Sequence, residues 1–181
     1  MRLYLVRHLS PMVAPGICYG RTDLAVDPAV LASALPALRA QLPAGAPVVS
    51  SPLRRCAALA ACLSVNAVRH DARLAELDLG AWEMRRWDDI ARGEIDAWAA
   101  DVALHRPGGG ESVADMAARI AAFYADMVRE RGPDTIVVCH AGAMRLLAAC
   151  GRGLAPVDMA RRAADQPNAI AYGEVLVLEC V

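Results

Sequence analysis

The 181-residue sequence contains no lysine; all 19 of its basic side chains are arginine. That absence excludes the phosphate-gripping lysine of a P-loop and any Schiff-base lysine. It also lowers what a single arginine can say, because a solvated surface cation is written as Arg here too. An excess of either charge is missing as well. The formal net charge is -1, which gives no electrostatic reason to expect nucleic acid or an anionic membrane as partner. Long apolar runs are absent, since Arg, Asp or Pro interrupts each Ala-rich stretch, so no membrane span is expected. None of the 6 cysteines (18, 56, 62, 139, 150 and 180) forms a C-x-x-C pair. Reduced thiols are therefore expected, rather than disulfides or a zinc site. Met1-Arg2 leads straight into a strand-like "LYLV" without a signal-peptide pattern, and a cytoplasmic location is the expectation. No repeat, low-complexity tract or linker divides residues 1–181, which read as one domain.

What is present is a globular composition, with 56% hydrophobic and 22% charged residues. Short apolar runs alternate with longer helical patterns, the mark of an α/β protein with a mainly parallel sheet. "RLYLVR", "APVVSS" and "DTIVVCH" read as buried strands, and "AVRHDARL" as extended. Helices are predicted over 28–41, opened by Asp27-Pro28, over 52–63, within 87–102, from Ser112 to Arg131 and over "AGAMRLLAAC". Trp87 and Trp98 read as anchors of the 87–102 stretch, and "AIAYGEVLVLEC" as two strands joined at Gly173-Glu174.

Three of these joints share a form. A buried strand ends and polar groups follow: Arg7-His8, then Ser50-Ser51 with Arg54-Arg55, then His140. Ligands of open α/β sheets bind beyond the carboxyl ends of strands, near helix N-termini. Histidines and arginines gathered there, without metal-ligand spacing, describe an anion site. Arginine's planar fork suits phosphoryl oxygens, and a neutral imidazole can attack phosphorus. A carboxyl group must then protonate the departing oxygen, and "RLAELDLGAWE" offers Glu76, Asp78 and Glu83.

At this point the residues carry a resemblance. "LYLVRH", "SSPLRRCAALA", "LAELDLGAWE", "GGGES" and "VVCHAGAMR" follow one another, between residue 2 and about 147, as the motifs of the histidine phosphatase superfamily do. That superfamily is also called the phosphoglycerate mutase-like family. The resemblance implies a three-layer α/β/α sandwich and a phosphomonoester hydrolase with no cofactor and no metal. His8 would be the phosphorylated nucleophile and Glu76 the proton donor, with Asp78 as the alternative donor. Arg7, Arg54 and His140 would hold the phosphoryl oxygens, helped by the backbone amide of Ala141. "CYGRTDL" resembles the α-ribazole phosphatase branch, with Gly20, Arg21 and Asp23 shaping the loop near the leaving group and Arg21 as a substrate contact. A small phosphorylated metabolite is the implied partner, and a homodimer stays open. The compact chain lacks the insertions of mutases, so hydrolysis is expected. A broad-specificity phosphatase and a protein phosphohistidine phosphatase remain the alternatives within the superfamily.

Two departures stand out: Leu9 where the family usually has Gly, followed by Ser10-Pro11, and Met84 after the second Glu of "GAWE". Leu9 is expected to narrow the pocket without ending activity. A rival reading uses Cys139, Gly142 and Arg145 as the C-x-x-G-x-x-R loop of a cysteine-dependent phosphatase; another makes the site a degenerate phosphate binder. Other residues are expected to be structural. His70 reads as a surface-strand histidine despite sharing Val-Arg-His with His8, Arg55 as a helix-surface cation, His105 as exposed, and Glu111 as serving a helix start. Trp82 is expected under the Glu76 loop.

Overall fold

In the computed structural model, which describes residues 1–165 and 169–180, five strands form one sheet. They are β1 (Arg2–Arg7), β2 (Val48–Ser50), β3 (Arg69–His70), β4 (Thr135–Cys139) and β5 (Val175–Glu179), in the spatial order β3-β2-β4-β1-β5. All neighbours run parallel except β1 and β5. The helices are α1 (Pro28–Arg39), α2 (Arg54–Leu63), α3 (Arg92–Ala100), α4 (Val113–Glu130), α5 (Ala141–Cys150) and α6 (Pro156–Ala164). The mixed α/β sandwich implied by the resemblance is what the chain forms. None of these helices is long and apolar enough to cross a membrane.

Alternation along the strands builds the layers. Side chains of a strand point to opposite faces in turn, so a strand buried on both faces is apolar throughout. Leu3, Leu5, Val49, Val137 and Cys139 join one core with α4, α5 and α6. Val6, Val48, Ile136 and Val138 join the other with α1 and α2. The expected helix starts hold: Asp27 accepts the Ala29 amide at 2.7 Å, and Ser112 and Asp115 cap each other's backbone amides at 3.1 and 3.0 Å.

One expectation needs correction. The C-terminal stretch has one strand, β5, because residues 171–174 instead make a tight turn, where Gly173 has φ +74° and donates to the Arg7 carbonyl. Within 87–102 lie two helical pieces, as expected: a short 3₁₀ turn at Trp87–Asp89 and α3, packed beside Trp82, Cys18, Leu79 and Ile90 as a satellite core.

The irregular chain between β3 and α3 carries Glu76, and close backbone packing fixes it. Gly80 has φ +52°, and a Cβ there would stand 2.3 Å from the Gly108 carbonyl oxygen, so the "GGGES" loop seats directly on "LDLG". Met84, at φ +63°, occupies a left-handed conformation that a side chain strains. Its side chain is largely exposed, so packing returns little. Met84→Gly is expected to stabilise the fold by roughly 0.5–1 kcal/mol, the strain relief less the extra freedom of glycine in the unfolded chain. Urea unfolding with an unchanged slope reads this out, and a lower midpoint would count against strain at that position.

Candidate active site

β1 ends at Arg7, which holds His8 at the carboxyl rim of the sheet, its amide donating to the Cys139 carbonyl at 3.0 Å. The ring is 3% exposed, and its Nδ1 lies 2.7 Å from the Leu9 carbonyl oxygen. A carbonyl only accepts, so Nδ1 carries the hydrogen and Nε2 presents a lone pair. Burial, reinforced by Arg55 and Arg7, pushes the imidazole down to about 3 against the opposite pull of the Leu9 bond. His8 is thus neutral at pH 7. His140, at the end of β4, is fully buried, with its ring centroid 5.0 Å from that of His8 and Nε2 2.9 Å from Ser51 Oγ. Burial first, then Arg55 and His8, hold it well below the ordinary histidine range.

The arginines correct the sequence reading. Arg54 is exposed, its backbone amide donates to Asp23 Oδ1 at 2.7 Å, and among the described residues it is not part of the cavity wall. Arg55, expected on the surface, is fully buried and lines the cavity, donating to the carbonyls of Thr22 and Gly20. The reason is helical: Arg55, Cys56, Leu59 and Ala60 form the inward stripe of α2, and Arg54 falls off it. That spacing was legible and would have selected Arg55. Arg7 also lines the cavity; its guanidinium donates to the Ile170 carbonyl and lies 4.0 Å from the Tyr172 ring centroid. The Nε atoms of Arg7 and Arg55 are buried without an acceptor among the described residues, a deficit that an anion between them would relieve.

Glu76 faces the same cavity, its carboxylate accepting from the Leu77 amide at 3.0 Å and the Gly142 amide at 3.3 Å at the start of α5. Arg119 of α4 fixes this segment by donating to the carbonyls of Arg73, Ala75 and Glu76, while a fork of bonds at 2.7 and 2.8 Å ties it to Glu111. Glu111 therefore acts through Arg119. Glu83 accepts from the amides of Gly20, Arg21, Thr22 and Leu79 and so clamps the "YGRT" loop; burial raises its pKa, but the Thr22 hydroxyl and these amides outweigh that and hold it low. Asp78 is turned to the Gly80 amide and lies 3.5 Å from Arg21. Neither Asp78 nor Arg21 lines the cavity, whereas Ala141 does. Sequence reasoning missed Tyr19 and Tyr172, whose hydroxyls are 2.7 Å apart beside the arginines. Their 153-residue separation left no local signal.

The remaining expectations sort cleanly. Leu9 is 5% exposed in the core and does not narrow the cavity. Cys139 sits in the opposite core, where burial pushes its thiol far up, so it offers no thiolate. His70 is exposed, His105 half-buried and Trp82 buried.

Two outcomes follow from this geometry. Arg55→Gln is expected to weaken binding of inorganic phosphate at least tenfold, and Arg54→Gln less than twofold, by calorimetric titration; the reverse order would restore Arg54. Below the ordinary histidine pKa of about 6.5, the unfolded chain binds a proton that folded His8 refuses until about pH 3. Stability is therefore lost as pH falls through that window, by up to ~1.4 kcal/mol per unit. His8→Gln should flatten the slope of urea midpoints between pH 6 and 4, and an unchanged slope would contradict a neutral buried ring.

Comparison with known proteins agrees with this geometry. A profile of the histidine phosphatase superfamily (branch 1) matches residues 3–172. Mycobacterial glucosyl-3-phosphoglycerate phosphatase superposes with a TM-score of 0.81 at 27% identity, over 97% of this chain and 88% of that one. Its complex with VO3 gives 0.80, at 27% identity over 98% and 92%. TTHB049 of Thermus thermophilus shares the fold, with a TM-score of 0.71 at 24% identity over 99% and 94%. No curated protein matches the chain. With a family profile spanning nearly its whole length and a phosphatase among its structural relatives, the chain belongs to branch 1 of the histidine phosphatase superfamily and is a phosphatase.

Proposed function

We propose that the chain hydrolyses a phosphomonoester through a phosphohistidine at His8. The observation that carries this reading is the His8 ring itself: neutral, fixed by Nδ1 on the Leu9 carbonyl, and sharing a cavity with Arg7, Arg55 and Glu76. Nε2 attacks phosphorus as the bond from phosphorus to the leaving oxygen breaks, and the Glu76 carboxyl gives that oxygen its proton. Water then attacks phosphorus, giving a proton to the Glu76 carboxylate; the N–P bond breaks and neutral His8 returns. Arg7 and Arg55 keep their charge throughout and suit the oxygens that gain negative charge.

For the substrate, α-ribazole 5′-phosphate is the first proposal. Its support is the "CYGRTDL" run, which forms the loop clamped by Glu83 and Arg55 and brings Tyr19 and Gly20 to the cavity wall. Glucosyl-3-phosphoglycerate is the second, supported by the 27% identity to the mycobacterial phosphatase.

His8→Ala is expected to abolish turnover of every phosphomonoester, and substantial residual activity would sink the covalent route. Glu76→Gln should slow alkyl phosphates by 10²–10⁴-fold, the range of general acid catalysis, and p-nitrophenyl phosphate far less, since that leaving group needs little protonation. Equal losses on both would remove Glu76 as proton donor.

A further inference from the structure

The cavity is larger than a phosphoryl group requires. At about 660 Å³ it matches the range of sites that enclose a whole organic ligand. Its charges gather around His8: Arg7, Arg55 and Glu76, with Arg145 near enough to Glu76 to feel its charge while donating to the Ala163 carbonyl at 3.1 Å. The wall supplied by the turn after α3 and the start of α4 is apolar, with Val102, Val113 and Met116, and Leu79 beside them. Trp87 and Trp98 complete it, their planes 13° apart and centroids 6.4 Å apart. Trp98 is braced edge-on against Trp82 at 5.8 Å, and Trp82 is fixed in turn by its Nε1–H donating to Glu94 at 2.6 Å. The Nε1–H of Trp98 is buried and meets no acceptor among the described residues.

We infer that this apolar wall is the leaving-group site, that it takes a flat, uncharged ring system carried on the alcohol, and that Trp98 is its specificity-determining side chain. The inference rests on the phosphatase reading of His8 and deepens it. Indole and aliphatic surfaces gain by covering a ring, and bracing by Trp82 holds Trp98 in place, so binding demands little reorganisation of it. A ring heteroatom would also give its N–H an acceptor. A second phosphate or carboxylate packed against Val102 and Met116 would lose its water to apolar surface, a cost that an uncharged ring does not meet. The favoured substrates are therefore heterocyclic ribosides bearing one phosphate rather than bisphosphates or phosphoglycerates.

Ribose 5-phosphate, adenosine 5′-phosphate and α-ribazole 5′-phosphate release the same primary oxygen and differ only in the ring, which makes them a direct test. The wild-type chain should show kcat/KM for the better ring-bearing ester at least ~10-fold above that for ribose 5-phosphate, the scale of a pocket contact. Trp98→Ala and Val102→Asp should each reduce that ratio roughly tenfold. The ratio is internal to one preparation, so a partly unfolded variant lowers both rates and leaves it unchanged. A wild-type ratio near one, or a ratio that survives both substitutions, overturns the leaving-group site while sparing the phosphatase. Failure of the wild type to cleave p-nitrophenyl phosphate as well as these three esters, or to retain radiolabelled phosphate on His8, overturns the catalytic reading and this inference with it.

Discussion

The single hydrogen bond from His8 Nδ1 to the Leu9 carbonyl is what the rest of the site depends on. It decides which ring nitrogen carries the hydrogen and therefore which one faces outward with a lone pair. A neighbouring carboxylate could do the same, but it would also favour the charged imidazolium. A backbone carbonyl orients the ring with a weaker pull toward protonation, and burial beside Arg55 and Arg7 then keeps it neutral. Because the contact uses only backbone, the residue after His8 can change. Leu9 sends its side chain into the core under α1 and α2, so a bulky residue stands where the family usually has glycine without reaching the cavity.

Around that ring the structure solves a second problem, which is how to hold irregular loops still. The segment bearing Glu76 has no strand partners among the described residues, so its carbonyls need donors from elsewhere. Arg119 supplies three of them and is itself held by Glu111, with both side chains mostly buried. The loop at Gly20 is tied the opposite way, its amides collected by the Glu83 carboxylate and its carbonyls by Arg55. In a lysine-free chain, such multi-point bonding uses the guanidinium's five fixed donors. Arg55 thus serves both as a loop clasp and as a cation beside His8.

Much of the architecture was legible because it rests on local pattern. Buried strands with both faces covered must be apolar along their covered length, and "LYLV", "PVV" and "IVVC" are. Asp27-Pro28 and Ser112 with Asp115 announce helix starts because their side chains bond backbone only two or three residues away. The C-terminal stretch misled because a two-strand pattern and a turn before one strand look alike until Gly173 is seen donating to Arg7. Motif order also marked His8, Arg7, Glu76 and Ala141, each of which reaches the cavity. The choice of Arg54 over Arg55 failed for a narrower reason: two adjacent arginines differ by about 100° around a helix, and only the buried stripe says which turns inward.

By itself, the sequence determined that an α/β chain would bring a strand-terminal histidine and arginines together at the carboxyl rim of the sheet, since strand ends and helix starts follow from short-range pattern. Tertiary structure alone decided the membership of that site. Tyr19 meets Tyr172, Arg119 reaches the Glu76 segment, and Trp98 joins the cavity wall only once the chain has closed on itself. Such contacts are set by packing between distant segments, which no local periodicity encodes.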